Sequence, residues 1–185
     1  KKLGHGAFLQ KDLKQIQKIF QAMRESTNKP CSVKLRKSPN AIKIAKLAEK
    51  ENFNTIAIHP RTIQQGYSGE PDYKFALKLK TKTKLPIIFS GNVNELNVKQ
   101  TLKDFDFIML GRSAIGNPNI FANLTNSKKA TFKDYLKLAK KHKLFFRQIK
   151  YQAMAFTKGE KNAKQLRRKL ISAKTIKDIE EIYKK

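Results

Sequence analysis

Short apolar runs and helically spaced apolar stripes alternate along the first two thirds of the chain. The first stripe recurs every three or four residues from Leu13 to Met23, so it predicts a helix from about Asp12, the expected N-cap, to about Ser26. The runs are apolar on both faces, which is typical of buried parallel strands. In chain order these predicted strands are CSVKLR, TIAIH, LPIIFSG and DFIMLGR.

A helical stretch follows each predicted strand. Asn40 is the expected N-cap of the first of them, and a glycine interrupts the last. Strand and helix therefore alternate four times, which predicts βαβ units in a parallel sheet and leaves two architectures open, a doubly wound sheet and a (β/α)8 barrel. The helical stretches are NAIKIAKLAEKEN, PDYKFALKLKTKT, NELNVKQTLKDF and SAIGNPNIFANL.

The strand pattern stops after about Thr125, where a second region begins. Three helices are predicted there, with a break at Lys158-Gly159 after the first and Thr175 as the cap of the last. We therefore expect an α/β region over 1–124 and a small all-α region over 125–185. The three helical segments are FKDYLKLAKKHKLFFRQIKYQAMAF, AKQLRRKLISA and TIKDIEEIYKK.

Charge separates the two regions further. The 185 residues carry a net charge of +27, and residues 125–185 hold 19 basic against 5 acidic residues, compared with 22 and 9 in residues 1–124. A general lysine excess explains part of this, but concentration in a helical segment favours a polyanionic partner, RNA or DNA. No apolar run exceeds four residues, so no membrane partner is expected.

Cysteine and histidine content restricts the chemistry. The single cysteine, Cys31, fits a reducing compartment and is expected to be a small buried core residue. The three histidines and this cysteine are too scattered along the sequence for a zinc site, so no metal is expected.

Each predicted strand ends in polar or glycine residues. In parallel α/β folds, ligands bind at the carboxyl edge of the sheet, so these residues are candidates for one site. Glycine-flanked backbone N–H groups in FSGNV and the helix start in LGRSAIG predict a phosphate site there. The strand-end residues are Lys34 and Arg36, His59 and Arg61, Ser90, Gly91 and Asn92, and Gly111 and Arg112.

Several of these segments together resemble the C-terminal half of the tRNA-dihydrouridine synthases, especially archaeal members. The block containing His59, Arg61, Gln65, Tyr67 and a glycine is the most specific part. The resemblance covers nearly the whole chain through VKLR at 33–36, IHPRTIQQGYSGEPD at 58–72, IIFSGNV at 87–93, MLGRSAIGNPNIF at 109–121 and QLRRKLISAKT at 165–175.

The resemblance implies a fold and an activity. It implies a partial (β/α)8 TIM barrel, the last four βα units, over 1–124 and a basic helical tRNA-binding domain over 125–185. The activity would be reduction of the C5=C6 bond of uridines in tRNA by FMN, with NADPH or NADH reducing the flavin. A cytoplasmic enzyme that is monomeric when full length is expected.

The resemblance also implies roles for single residues. Lys34 would face the flavin ring and His59 the flavin or its ribityl chain, and five residues would hold the phosphate: Ser90, Gly91, Asn92, Gly111 and Arg112. Contacts to RNA would come from Arg61, Gln65 and Tyr67 on the loop after the second strand and from Arg167 and Arg168. SGN stands where many members have Asn-Gly-Asp or Asn-Gly-Gly, so the side-chain roles of Ser90 and Asn92 depart from the family pattern.

The family's proton-donating cysteine is expected upstream of Lys1, so the chain by itself is expected to be inactive, with no catalytic residue of its own. The chain starts without methionine, which we interpret as a cut from a longer protein. Two alternatives remain open. One is a non-catalytic RNA-binding protein that keeps the half-barrel as a scaffold, and the other is a different FMN- or phosphate-binding barrel oxidoreductase.

Overall fold

The computed structural model describes residues 4–184. The chain divides into two compact units, Lys1–Gly111 and Arg112–Lys185. The first unit is α/β and the second is entirely helical in its described part. The structural division thus falls before Arg112, whereas the sequence pattern places the change at about Thr125.

A parallel four-stranded sheet forms the centre of the first unit. Its strands are β1 (Ser32–Arg36), β2 (Thr55–His59), β3 (Ile87–Phe89) and β4 (Phe107–Ile108), and they lie side by side in chain order. All four predicted strands are present. The last has two residues, fewer than the predicted run, because only Phe107 and Ile108 pair with β3.

Four helices connect or precede these strands. They are α1 (Leu13–Ser26), α2 (Ala41–Lys50), α3 (Tyr73–Lys80) and α4 (Val98–Asp104), and a 3-10 helix spans Gly6–Lys11. The predicted cap Asp12 is confirmed, since its Oδ1 accepts from the Gln15 N–H at 2.9 Å.

Two helix starts differ from the predictions in part or in full. Asn40 is the N-cap residue of α2, as predicted, but its side chain makes no capping hydrogen bond, and its Nδ2 donates to the Gln10 carbonyl oxygen at 3.0 Å. The fourth helix begins at Val98 and not near Asn94, because Asn94 and Asn97 first form a hydrogen-bonded turn in which the Asn94 N–H donates to the Asn97 Oδ1.

The core of the first unit lies between the sheet and its helices. The rings of Phe89 and Phe105 stack with centroids 4.7 Å apart. Cys31 is buried just before β1, as predicted. The other large buried side chains of this core are Phe20, Leu35, Ile44, Phe53, Ile56, Ile58, Leu79 and Ile87.

The second unit contains α5 (Asn119–Thr125), α6 (Phe132–Lys141), α7 (Phe146–Phe156), α8 (Ala163–Ser172) and α9 (Ile176–Lys184). The segment predicted as one helix over 132–156 is two helices. Lys143 adopts a left-handed backbone with φ 51°, and the Leu144 N–H bonds the Ala139 carbonyl oxygen, which ends α6. None of the helices between residues 4 and 184 is long and apolar enough to cross a membrane.

A separate core holds the second unit together. The predicted stripe of α9 is confirmed: Ile179 is buried, and Ile176, Ile182 and Tyr183 pack against the same cluster. The predicted cap Thr175 is also confirmed, since its Oγ1 accepts from the Asp178 N–H at 3.2 Å. The buried members of the cluster are Phe132, Leu136, Ala139, Ile149, Ala153, Leu170, Ala173 and Ile179.

A close approach at Gly116 explains why residues 112–124 belong to the second unit. A Cβ atom at this position would lie 2.3 Å from the carbonyl carbon and oxygen of Ala155 in α7. Only a glycine with its φ of +69° permits this packing. The segment before α5 is thus built into the helical core.

Candidate active site at the carboxyl edge of the sheet

Arg36 and His59 occupy paired positions at the carboxyl ends of β1 and β2. One Nη of Arg36 lies 2.8 Å from His59 Nδ1, and both Nη atoms donate to the Gly66 carbonyl oxygen at 3.2 and 3.1 Å. A guanidinium group only donates hydrogen bonds, so Nδ1 of the imidazole is the acceptor in this contact. The parallel register thus joins the two strand ends and the following loop.

Arg61 approaches the same imidazole from the other side. Its side chain is only 1% exposed, and its Nε and Nη2 donate to the Gly69 carbonyl oxygen at 3.2 and 2.5 Å. Its Nη1 lies 3.2 Å from His59 Nε2. Since Nδ1 accepts from Arg36, Nε2 carries the proton of the neutral ring, and the contact with Arg61 is not a second hydrogen bond. The His59 ring thus lies between two guanidinium groups. Arg61 lies inside the loop, which differs from its expected place on a rim that reaches RNA.

Lys34 adds a third cation to this edge. It lies two residues before Arg36 and so on the same face of β1. Partial burial of its ammonium group, and secondly the charge of Arg36, hold the pKa of Lys34 below its ordinary value. Within residues 4–184, no ion pair joins Lys34, Arg36 or Arg61 to a carboxylate. The edge therefore carries positive charge that the described residues do not neutralise.

The loop after β2 holds itself in place by short-range contacts. The Thr62 N–H donates to Gln65 Oε1 at 2.9 Å, so the Gln65 side chain serves the loop's own structure. Tyr67 projects from it with 72% of its surface exposed. At the loop's end, Asp72 pairs with Lys37 at 2.5 Å and caps α3, and the hydrogen bond from Lys37 is the main reason that the pKa of Asp72 is lowered.

The end of β3 lies against His59. A Cβ atom on Gly91 would lie 2.9 Å from Pro71 Cγ and 3.4 Å from His59 Cδ2, so the backbone comes close to the imidazole only because residue 91 has no side chain. The Ser90 N–H bonds the Ile58 carbonyl oxygen at 2.9 Å. Asn92 has a left-handed backbone, and its Nδ2 donates to Glu70 at 2.9 Å.

Gly111 and Arg112 lie where one compact unit ends and the next begins. The predicted helix start after Gly111 is a 3-10 helix of three residues, Arg112–Ala114, and α5 begins only at Asn119. Both residues are exposed. Their predicted role in holding a phosphate group stays a prediction.

A cavity of about 370 Å³ runs along β1 on its side away from β2. Lys34 and Arg36 line it together with apolar side chains of β1 and α1, so it combines an apolar floor with positive charge. No three of the histidine, cysteine, aspartate and glutamate residues in the described part of the chain are grouped to hold a metal ion. The apolar lining comes from Ala7, Leu9, Ile16, Ile19, Phe20, Val33, Leu35 and Ile44.

The predicted RNA-binding residues of the second unit lie on α8. Arg168 is exposed, and Arg167 donates from its Nε to Thr157 Oγ1 at 2.8 Å. Four aromatic residues of this unit divide between its core and its surface. Phe146 and Phe156 pack against the core, but Phe145 is 78% exposed at the start of α7 and Tyr151 is 61% exposed.

Comparison with protein families identifies the family of the chain. The family model for dihydrouridine synthase (Dus) matches residues 1–182. The chain belongs to the dihydrouridine synthase family. The resemblance read from the strand-end residues is thus confirmed at the level of the family.

Individual relatives agree with this membership. A probable tRNA-dihydrouridine synthase of Rickettsia conorii is 35% identical over 127 residues, which are 64% of this chain and 38% of that protein. The tRNA-dihydrouridine synthases B of Proteus vulgaris and Xanthomonas axonopodis are 32% and 27% identical, over 67% and 65% of this chain and 41% and 39% of those proteins. The chain spans about two fifths of the length of these curated relatives.

One residue that shapes this site was absent from the predicted set. Arg36 was among the strand-end candidates without a predicted role, and it ends β1 as His59 ends β2. Gln10 was not predicted, since its effect depends on a contact 26 residues away. It is buried, accepts from the Arg36 N–H at 2.8 Å and donates to the Arg36 carbonyl oxygen at 2.9 Å, which fixes the end of β1.

Proposed function

We propose that this chain is the cofactor- and tRNA-binding part of a tRNA-dihydrouridine synthase, which reduces the C5=C6 bond of uridines in tRNA with FMN and NADPH or NADH. The observation that carries the proposal is the cationic cluster of Lys34, Arg36, His59 and Arg61 at the carboxyl edge of the sheet. Membership of the family and the printed names of the relatives support the activity.

The strand order supports a barrel. Four parallel strands follow one another in chain order without a reversal, and each is followed by helical structure. A doubly wound sheet reverses its order at a switch point, whereas a barrel does not. We therefore assign the four strands and the helices that follow them to the last four βα units of a (β/α)8 barrel.

The residues at the sheet edge fit a flavin nucleotide. FMN carries a phosphate dianion and electron-rich ring carbonyls, and the described cluster offers guanidinium and ammonium donors with no carboxylate ion-paired to Lys34, Arg36 or Arg61. When bound, FMN supplies the hydride for the uracil ring. Lys34 and Arg36 would hold the ring, and His59, fixed between two arginines, would keep a defined orientation beside it.

Other parts of the chain suit the tRNA substrate. Reduction of a uracil requires that the base leave its stack, at a cost of a few kcal/mol. Exposed Tyr67 on the loop beside the cluster is placed to contact a displaced nucleotide. The basic helices of the second unit supply attraction to phosphates that does not depend on sequence.

Dihydrouridine content of cellular tRNA tests the proposal. We expect that deleting the gene removes dihydrouridine from at least one tRNA position, as measured by mass spectrometry of tRNA nucleosides. The intact gene should restore it, and a gene carrying Arg36→Ala should not. Unchanged dihydrouridine in the deletion strain would overturn the proposal. Salt-sensitive tRNA binding combined with that result would favour the non-catalytic RNA-binding alternative.

A further inference from the structure

An exposed tyrosine and an exposed isoleucine lie on two neighbouring helices of the second unit, each beside or at a residue that joins the helices. Tyr151 in α7 is 61% exposed, and Ile171 in α8 is 62% exposed. Lys150, the residue before Tyr151, donates from its Nζ to the carbonyl oxygens of Ile171 at 2.7 Å and Ala173 at 2.8 Å. This contact joins the two helices next to both exposed apolar side chains.

Two exposed arginines flank these apolar residues. Arg147 precedes Tyr151 by four residues, and Arg168 precedes Ile171 by three, and both spacings place side chains on the same face of a helix. We call Arg147, Lys150, Tyr151, Arg168 and Ile171 the α7–α8 face. It combines a flat aromatic ring, an aliphatic neighbour and three cations.

The two helices of this face contain no acidic residue. Between Tyr135 and Lys177, a segment that includes all of α7 and α8, the only acidic residue is Glu160. The acidic residues of α9 are engaged differently: Glu180 pairs with Lys140 at 2.5 Å, and Asp178 accepts from the backbone N–H groups of Lys174 and Thr175. The α7–α8 face therefore attracts a polyanion more strongly than the α9 side does.

We propose that the α7–α8 face binds an unpaired nucleotide of the RNA substrate. Its base stacks on Tyr151 beside Ile171, and the adjoining phosphates contact Arg147 and Arg168. Base stacking on an exposed aromatic side chain is the usual way in which proteins hold unstacked RNA bases. This inference rests on the proposed function, because tRNA, whose loops and 3′ end carry unpaired bases, is the RNA concerned.

Salt-dependent binding distinguishes stacking from charge attraction. We expect Tyr151→Ala in the native protein to weaken binding of an unmodified tRNA transcript roughly 10-fold with the same salt dependence, since a tyrosine releases no counterions. Tyr151→Phe should retain the affinity. Arg168→Gln should weaken binding and reduce the slope of log K against log salt by about 1. Fluorescence anisotropy at several salt concentrations measures both quantities.

Matched controls are available in the same unit. Leu138→Ala removes a 56% exposed apolar side chain from α6 and is the control for Tyr151→Ala. Lys177→Gln removes an exposed charge from α9 and is the control for Arg168→Gln. Neither control should reproduce the effect of the variant that it matches. If the wild-type protein binds tRNA but Tyr151→Ala binds equally well, the inference is overturned while the proposed function stands, and the face then fits a protein partner. If the wild-type protein binds no tRNA, both are overturned.

Discussion

The two units of the chain use positive charge in different ways. In the first unit, Arg36 and Arg61 are fixed by backbone carbonyl oxygens of one loop, Arg36 also donates to His59 Nδ1, and Arg61 has almost no contact with solvent. In the second unit, Arg147 and Arg168 are exposed, and the apolar core lies beneath them without a charged member.

Fixed cations suit the recognition of a small ligand, whereas exposed cations suit the attraction of a large polyanion. Fixed cations around an imidazole have one geometry and can orient a ring or a phosphate group. Exposed cations on helices act mainly through their number and are weakened by salt. The net charge of +27 therefore matters more for the exposed cations of the second unit than for the fixed cations of the site in the first unit.

The largest expected effect concerns the core beneath the charged helices. Leu170 is fully buried and Ile171, the next residue, is 62% exposed. Leu170→Ala should lower the free energy of unfolding by about 2–5 kcal/mol because it leaves a cavity in the helical core, and Ile171→Ala by less than about 0.5 kcal/mol. Urea denaturation measures both. Similar losses in the two variants would show that core and surface are not separate in this unit.

Replacement of one arginine in each unit compares the two uses of charge directly. Arg61→Met should lower the free energy of unfolding by about 3 kcal/mol, because it leaves the Gly69 carbonyl oxygen without its donors inside the loop. Arg168→Met should change it by less than about 0.5 kcal/mol. Thermal and urea unfolding measure the difference, and an Arg61→Met variant as stable as the wild type would contradict the structural role of this arginine.

A smaller effect is expected where the chain passes close to His59. Gly91→Ala should cost about 1–3 kcal/mol of stability, because the new methyl group would meet Pro71 at 2.9 Å. Gly111→Ala is the matched control, since a Cβ atom there meets nothing within 4 Å. If both variants unfold at the same urea concentration as the wild type, the loop around Pro71 is not packed as described.

The smallest expected effect is a pH dependence of the free energy of unfolding, to which one tyrosine in each unit contributes. Burial, then the hydrogen bond to Asp104, raises the pKa of Tyr73 in the first unit to about 12, and burial, then the charge of Glu160, raises the pKa of Tyr183 in the second to about 12. An unfolded tyrosine loses its proton near pH 10. Because each tyrosine keeps its proton to a higher pH in the folded state than in the unfolded state, the free energy of unfolding falls as pH rises from about 10 to 12.

Single Phe variants assign this pH dependence. Tyr73→Phe and Tyr183→Phe should each reduce the loss of stability between about pH 10 and pH 12, measured as the shift in the urea midpoint. Tyr67→Phe, which alters a 72% exposed ring, is the control and should behave as the wild type. An equal loss of stability in all three variants and the wild type would contradict the raised pKa values.

Periodicity alone was enough to predict most of the fold. The four strands and the stripes of α1 and α9 follow from apolar spacing, which local chain geometry dictates. The break after α6 was not predictable, since a lysine and not a glycine adopts the left-handed backbone at residue 143. The boundary between the units lies before Arg112 and not at about Thr125, because Gly116 packs against Ala155. These two residues are distant in sequence, so the periodic pattern does not reveal their contact.

The positions of the strand-end residues were predictable, and the conformation of the loops that follow them was less so. The rule that strand ends meet at one edge correctly brought Lys34, His59 and Gly91 to the same part of the first unit. The burial of Arg61 could not be foreseen, because it depends on how the loop turns to place the Gly69 carbonyl oxygen. Loop conformation of this kind leaves no periodic signal in a sequence.

Flavin retention by arginine variants tests the cationic cluster most directly. Arg36→Gln in the native protein should weaken FMN binding by about 10- to 100-fold, the usual cost of a lost charge-assisted hydrogen bond. Arg24→Gln is the control, because Arg24 contacts Lys29 and Cys31 before the start of β1, away from the carboxyl edge of the sheet. Absorbance of bound flavin after dialysis measures the loss. We predict that only Arg36→Gln loses its flavin, and equal retention by both variants would contradict the proposed site.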